Sequence, residues 1–454
     1  MPHPSKNPSK RNRGARHPNP LIVWADGRLA GQWTVREGEH RFQYAEAFAA
    51  DPGSCALSIS LPFAPDNAVL RGPAVESWFD NLLPTGEARR HRLQRRFGTS
   101  STDAFDLLTE IGSDCAGGVQ VLLPDVEPIG FDRIDGVPLT DADIEQAIDA
   151  ALSTTRASGQ GDAVLHGALA GTQEKIALLR HGGRWFRPTG ATPTTHILKL
   201  PSDTASPENE WLCSRVMAAF GFQTADCEIA TFGKYKVLVV ERFDRALSGA
   251  GTDAERIVRL PQEDCCQALG APVAHKYEAD GGPGMREILR LLETSANAAA
   301  DKTAFVKSQM VFWLLAATDV HAKNFSIFLT PGGSFRLTPF YGVNSAWPTI
   351  AAGADAAAGV ASSTAPVPQK PKLAMALRSK SAHWGLSDLR QQHWDGVAKL
   401  AGLEDAKSLC DELTAQVPEA IVKVEAGLPA DFPKPLADAV FAGIRATAAR
   451  LQPA

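Results

Sequence analysis

The sequence predicts an α+β, bilobal fold: a β-rich N-terminal region, a helical C-terminal lobe, and a cleft between lobes. Three observations lead there. Short alternating strands and turns dominate from Leu21 to about Gln120, and a second strand-rich section runs from Ile176 to Glu241. After Arg245 the apolar spacing becomes helical. At 454 residues the chain exceeds one ordinary core, so several domains are expected. The divisions are a disordered basic tail over 1–20, a β-rich region over 21–125, an α/β region over 126–245 and a helical lobe over 246–454.

The elements follow in order. LIVWADGRLAGQW reads as a hairpin turning at Asp26-Gly27. Arg41–Tyr44 and Leu57–Leu61 (LSISL) alternate as further strands. Glu76–Arg96 reads as helix, broken near Pro84-Thr85-Gly86, and its basic run EARRHRLQRRF either faces solvent or meets phosphate or a partner. Residues 124–140 are rich in Pro, Gly and Asp and read as a connector. Strands are expected at Ile176–Arg180, Trp185–Pro188 and Thr195–Leu200, a helix at Asn209–Phe220, then strands at Glu228–Ala230 and Tyr235–Glu241. Helices are expected at Gly284–Thr294, Ala304–Thr318, Leu386–Leu400, Glu404–Gln416 and Pro435–Leu451. A hairpin, SIFLTPGGSFRLTPF, turns at Pro331-Gly332-Gly333, and 351–371, rich in Ala, Gly, Ser and Pro, reads as a mobile loop.

Composition excludes some classes. Hydrophobic content of 44% and charged content of 21% are those of a globular protein. No apolar run reaches the roughly 18 residues of a membrane span, so no membrane partner is expected. The first twenty residues have five Lys/Arg and no acid, and read as a solvated leader. Net charge is −5, and without those cations the remainder is more acidic still, which argues against broad DNA binding by the folded body. Seven cysteines without paired or zinc spacing fit reduced thiols in a cytosol.

Four segments have residue types suited to phosphoryl transfer. ALAGTQEK (168–175) is a loop of small residues whose N–H groups can face phosphates, though an ordinary turn has the same composition. TTHILKLP ends an apolar strand on Lys199, which must reach solvent or meet an anion. VVERFDR (239–245) lies where the sheet gives way to helices, a hinge whose backbone can bond an adenine edge; a surface salt-bridge cluster explains it equally well. The fourth is the most specific. TDVHAKNFS follows an apolar helix and sets Asp319 and Asn324 five apart, with a lysine between them. Phosphoryl transfer needs an acid to position the attacking hydroxyl and a ligand to hold metal against the same γ-phosphate.

With these segments in view, the chain resembles the HipA-type serine/threonine kinases of bacterial toxin–antitoxin systems. The resemblance runs from about Leu21 to near Trp394. Its blocks are LSISLPF, WFDNLLPTGEARR, IGSDCAGGVQ, ALAGTQEK, TTHILKL, NEWLC, VVERFDR, RLPQEDCCQALG, KYEADGGPG, TDVHAKNFSIF and KLAMALRSKSAHW. It implies a protein-kinase-like fold with an added N-terminal region, ATP and Mg²⁺ as co-substrates, and a helix-turn-helix, HipB-like antitoxin that brings operator DNA. It further implies a cytoplasmic toxin that phosphorylates a protein substrate, in the family an aminoacyl-tRNA synthetase, and so arrests translation and growth.

By the same resemblance, Ala170, Gly171, Thr172, Gln173 and Lys175 would cover the phosphates and Lys199 would pair with them. The backbone of Glu241, Arg242 and Phe243 would bind adenine, with Asp244 near the ribose. Asp319 would be the catalytic base, Asn324 a metal ligand, His321 and Lys323 further nucleotide contacts, and Glu210 the partner of Lys199. Two positions depart from the pattern. Gly342, in Tyr341-Gly342-Val343, stands where a metal-binding Asp is expected, and neutral Asn344 nearby is a poorer ligand for a hard cation. Ala168 stands where the family has a phosphorylatable serine. Gly342 fits a substitution that lets a growth-inhibiting protein be made, a pseudokinase acting through an antitoxin–DNA complex, or another acid standing in. As a kinase, the chain is expected to be impaired.

Overall fold

The computed structural model describes residues 20–153, 168–202, 206–357, 371–378, 381–403 and 405–451. The basic tail, apart from residue 20, and residues 358–370 of the expected loop lie outside the described residues. In the N-terminal region β1 (Leu21–Ala25) and β2 (Arg28–Arg36) form the expected hairpin around Asp26-Gly27. With β3 (Glu39–Tyr44), β4 (Leu70–Arg71) and β5 (Val119–Leu122) they make one antiparallel sheet in the order β4-β3-β2-β1-β5. Alternation puts Leu21, Val23, Trp33 and Phe42 inward. There they meet α1 (Glu46–Ala50), α2 (Pro73–Asp80), α3 (Glu87–Phe97) and α4 (Ala104–Ile111), with Phe79 stacked on Trp33 at 3.8 Å. The break at 84–86 falls between α2 and α3 as the Pro and Gly require.

LSISL is not a strand. Leu61 N–H closes a turn on Ser58 O at 3.2 Å, and Ile59 N–H is taken by the Glu263 carboxylate at 2.8 Å. The donor that a sheet would have used goes to a side chain of the other lobe. Glu263 is wholly buried, its Oε2 has no hydrogen-bond partner, and burial pushes its carboxyl up to about 8. The folded state therefore keeps a proton that the unfolded chain releases at about 4.5. Stability should fall as pH rises across that window and level off above about 8. Glu263→Gln should remove this loss, which urea melts at pH 5 and pH 8 would measure; an unchanged slope in the variant would refute the assignment.

The α/β region follows. The connector contains a strand, β6 (Gly136–Leu139), because its backbone completes the edge beside β8. Thr140 then caps α5 (Asp141–Leu152) through a reciprocal box with Asp143. The strands β7 (Lys175–His181), β8 (Arg184–Pro188), β9 (His196–Lys199), β10 (Cys227–Phe232) and β11 (Tyr235–Glu241) complete a six-stranded sheet ordered β10-β11-β9-β7-β8-β6. One face packs Ile176, Leu178, Leu198, Val237 and Val239 on α5. Helix α6 (Pro207–Ala219), capped by Ser206, joins the core of the following lobe.

Three strands precede that helical lobe, later than the expected change at Arg245: β12 (Arg245–Ser248), β13 (Arg256–Arg259) and β14 (Gln262–Asp264). Helices α7 (Cys265–Ala268), α8 (Met285–Leu292) and α9 (Ala298–Leu314) lead to the hairpin β15 (Ser326–Thr330) and β16 (Ser334–Leu337). Residues 351–357 of the expected loop belong instead to α10 (Trp347–Ala357): alanine is the best helix former, and Trp347 Nε1 anchors the first turn on Leu314 O at 2.8 Å. A strand pair absent from the expectations, β17 (Lys372–Arg378) with β18 (Ala382–Gly385), precedes α11 (Gln391–Ala401), α12 (Ala406–Ala426) and α13 (Lys434–Ala448). All seven cysteines are free thiols, and Cys265 and Cys266 are core residues. No helix among the described residues is long and apolar enough to cross a membrane.

Candidate active site

The cleft lies between the six-stranded sheet and the helical lobe. A cavity of about 210 Å³ runs from Leu169–Gly171 past Lys199 and Glu241–Asp244 to His321, Asn324 and Gly342. A second, of about 850 Å³, shares Gly171, Lys175, Lys199, His321, Asn324 and Gly342 and extends to Asp319. The two share a wall and form one cleft.

Its roof is the 170–175 loop. Gly171 has φ of +101°, a backbone conformation that favours glycine, and a Cβ there would lie 2.8 Å from Lys175 Nζ. Lys175 Nζ turns back to donate to Ala170 O at 2.5 Å, and Gln173 Nε2 donates to Leu200 O at 2.8 Å. Thr172 is exposed and lines the larger cavity. Lys175 faces Lys199 across neighbouring strands. Burial, then Arg89 and Lys199, hold its ammonium well below the ordinary lysine range. Lys199 at the end of β9 forms an ion pair with Glu210 of α6, both largely buried. Lys199, paired with Glu210, and Lys175 beside it put two amine side chains on one wall of the cleft.

The hinge is organised differently from its expected use. Glu241 N–H goes to Asp226 O at 2.8 Å and Arg242 N–H to Thr195 O at 2.9 Å, so neither donor is free for a base. Arg242 and Asp244 belong to a buried network. Arg242 binds Asp244 at 2.9 Å and Asp114 at 3.1 Å, and Arg245 and Arg259 reach Asp114 at 3.0 and 3.3 Å. Asp244 Oδ2 also accepts Gly117 N–H at 2.7 Å. Both oxygens of Asp244 bind protein groups that fasten the hinge to the N-terminal region. Phe243 packs on Phe328 and Tyr341.

The loop after α9 carries Asp319, whose Oδ1 accepts the Tyr277 hydroxyl. Asn324 Oδ1 accepts His321 N–H at 3.1 Å, closing a 3₁₀ turn over Ala322–Asn324. The His321 ring packs edge-on to Tyr277; burial, then Lys276 and Lys323, push it down to about 3, so it is neutral. Lys323 lines the cleft, but its ammonium is bound to Asp264 at 2.6 Å, Asn81 Oδ1 at 2.8 Å and Asn81 O at 3.1 Å. Three donors with three acceptors leave none for a nucleotide. Lys323 thereby braces the loop against Asn81 and Asp264.

Gly342 sits beside Asn324: a Cβ there would lie 3.1 Å from Asn324 Nδ2. Its φ of +70° is left-handed, where Asp and Asn are the best tolerated residues after glycine. Asn344 lines the larger cavity with an Oδ1 that has no partner, while the oxygen of Asn324 is engaged. No group of three or more His, Cys, Asp or Glu able to hold a metal exists among the described residues. Magnesium is held through carboxylates and phosphates. Two amides, one already bonded, do not fit it. Ala168 is fully buried, bridged to Cys115, with its N–H on Asp114 O at 3.2 Å.

Several groups at the cleft were not expected to act there. Lys276 lines both cavities beside Asp319, and Tyr277 touches Asp319 directly; both lie in KYEADGGPG, a block of the resemblance to which no chemistry was assigned. Arg89, Asn81 and Asp114 come from the N-terminal region, where sequence spacing gives no sign of contact with a loop some eighty residues or more away.

The chain is similar to known proteins along most of its length. Residues 21–122 match the HipA N-terminal domain, and 167–421 match the HipA-like C-terminal domain. The chain is 33% identical over 393 residues to "Putative kinase Y4mE" of Sinorhizobium fredii, covering 84% of this chain and 86% of that one. It is 30% identical over 279 residues to the "Serine/threonine-protein kinase toxin HipA" of Shewanella oneidensis, covering 58% and 60%. Its fold matches the Shewanella oneidensis HipA structure solved with HipB and operator DNA, with a TM-score of 0.76 at 22% identity over 95% of this chain and 97% of that one.

Proposed function

Because the chain belongs to the HipA family, we propose that it is a serine/threonine protein kinase toxin of a toxin–antitoxin module, impaired in its present form by Gly342. One observation carries the reading: the Lys199–Glu210 pair and the Asp319–Asn324 loop line one cleft from opposite sides. ATP is the phosphate donor. Its phosphates lie under the 170–175 loop against Lys199 and Lys175, and its base meets the hinge at Phe243. Asp319, oriented by Tyr277, accepts the proton of the attacking hydroxyl, and Lys276 supplies a cation beside it. Magnesium belongs to the family's chemistry, but the residues at 324, 342 and 344 do not fit it, and no step here is drawn through it.

The partners in this reading are a HipB-like helix-turn-helix antitoxin, operator DNA reached through it, and a protein substrate that is an aminoacyl-tRNA synthetase; the compartment is the cytoplasm. Gly342 also favours a second reading, a catalytically inactive pseudokinase acting within the antitoxin–DNA complex.

Both readings keep the nucleotide site. Calorimetry should detect ATP at micromolar to millimolar dissociation constants, and Lys199→Ala should weaken it by roughly tenfold, the size of one charge-assisted contact. Absence of binding at millimolar ATP would remove the kinase site.

A further inference from the structure

The basic run of α3 is not simply a solvated face. Arg89 is fully buried, and its guanidinium crosses from the N-terminal region to the 170–175 loop. Nη1 donates to Gln173 O at 3.0 Å and Gly171 O at 3.4 Å, and Nη2 lies 3.5 Å from Lys175 O. Nε is 3.5 Å from Glu174, which Arg92 of the same helix also binds. Just before the α2–α3 break, Asn81 holds the other loop: its backbone and side-chain oxygens both accept Lys323 Nζ, and its Nδ2 donates to Ala271 O at 2.9 Å. Arg90 ties the break together through Asp80 at 2.6 Å and Pro84 O at 2.7 Å. One short strap, 80–92, therefore grips both loops of the cleft, and Asn81 and Thr85 line it.

We propose that Arg89 and Asn81 are positioning residues that hold the phosphate loop and the Asp319 loop at a fixed separation, making the N-terminal region part of the nucleotide site. The proposal rests on the kinase reading for its consequence, though not for its geometry. A buried guanidinium bonded to loop carbonyls has a second effect: those carbonyls are turned toward Arg89, which leaves the opposite side of the loop to phosphate oxygens. Without it the loop would have to be ordered by the nucleotide, and binding would weaken by that ordering cost.

The test uses the full chain and two readouts. Hydrogen exchange of the 169–175 segment is measured without nucleotide, and ATP affinity by calorimetry, for the parent, Arg89→Ala, Arg89→Lys and Arg95→Ala, the last an exposed arginine of the same helix. Arg89→Ala should speed exchange in that segment and weaken ATP roughly tenfold, the scale of one charged hydrogen bond. Arg89→Lys, able to reach one carbonyl but not three, should fall between, and Arg95→Ala should match the parent. Folded Arg89→Ala with parental exchange and parental affinity overturns the proposal; if that variant does not fold, parental behaviour of Arg89→Lys in both readouts overturns it. Failure of the parent itself to bind ATP sinks the kinase reading, and exchange then decides the positioning role alone.

Discussion

Asp114→Ala should destabilise the chain by about 3–5 kcal/mol, the cost of removing one partner from a buried ion network. Asp114 is 2% exposed and lies among Arg242, Arg245 and Arg259, with Asp244 as the other carboxylate of the cluster. Its side chain also accepts the Thr194 hydroxyl at 2.6 Å and Thr194 N–H at 3.1 Å. The variant leaves three buried guanidiniums facing one acid. Asp114→Asn should cost less, because the amide oxygen keeps part of the bonding while the charge is lost. Against the opposing cost of burial, the three arginines hold the Asp114 carboxyl far below the ordinary aspartate range. Its contribution is thus present above the unfolded value near 4 and is lost as pH falls below it. A urea transition of Asp114→Ala that matches the parent at pH 7 would show that the network contributes no net stability. The same variant should also weaken ATP, since Arg242 and Asp244 fasten the hinge.

How far the sequence reveals this site depends on distance along the chain. Lys199 with Glu210, and Asp319 with Asn324, are eleven and five residues apart, within reach of strand–helix and turn geometry, so spacing alone brings them near each other. Asp114 with Arg259, Arg89 with Gln173 and Asn81 with Lys323 join segments that only the packed fold brings together. A basic helix such as EARRHRLQRRF has the same composition whether its arginines meet water or loop carbonyls; burial of Arg89 decides it. LSISL failed as a strand for a related reason, since a carboxylate from β14 took its backbone donor. Lys323 and Asp244 likewise bind partners distant in sequence, Asp264 and Gly117, which spacing does not reveal.

Gly342→Asp should raise phosphate transfer by roughly a hundredfold or more, because a charged metal ligand contributes several kcal/mol to the transition state. The backbone there is strained by the change, and the Asn324 amide must yield slightly to a Cβ 3.1 Å away. The left-handed φ costs aspartate about 1–2 kcal/mol, less than the chemical gain, and the new side chain would extend beside Asn324 Nδ2, a donor for one carboxylate oxygen. Near Asn344 Oδ1, it would add the carboxylate oxygen that a hard cation favours and that the present residues do not supply. Gly342→Asn tolerates the same φ without adding charge, so it should leave transfer at background and separates charge from shape. Nucleotide affinity of Gly342→Asp should become magnesium-dependent, a readout independent of transfer. The variant should be toxic to cells lacking the antitoxin, and adding Asp319→Ala should abolish both toxicity and transfer. Self-phosphorylation at position 168 should stay absent unless Ala168→Ser is introduced as well, and because that position is buried against Cys115, a serine there must first leave its packing. If Gly342→Asp folds, binds ATP and still transfers nothing to a synthetase or any other protein substrate, the impaired-kinase reading falls, and the cleft is then a nucleotide-binding relic in a protein that acts through its antitoxin and DNA.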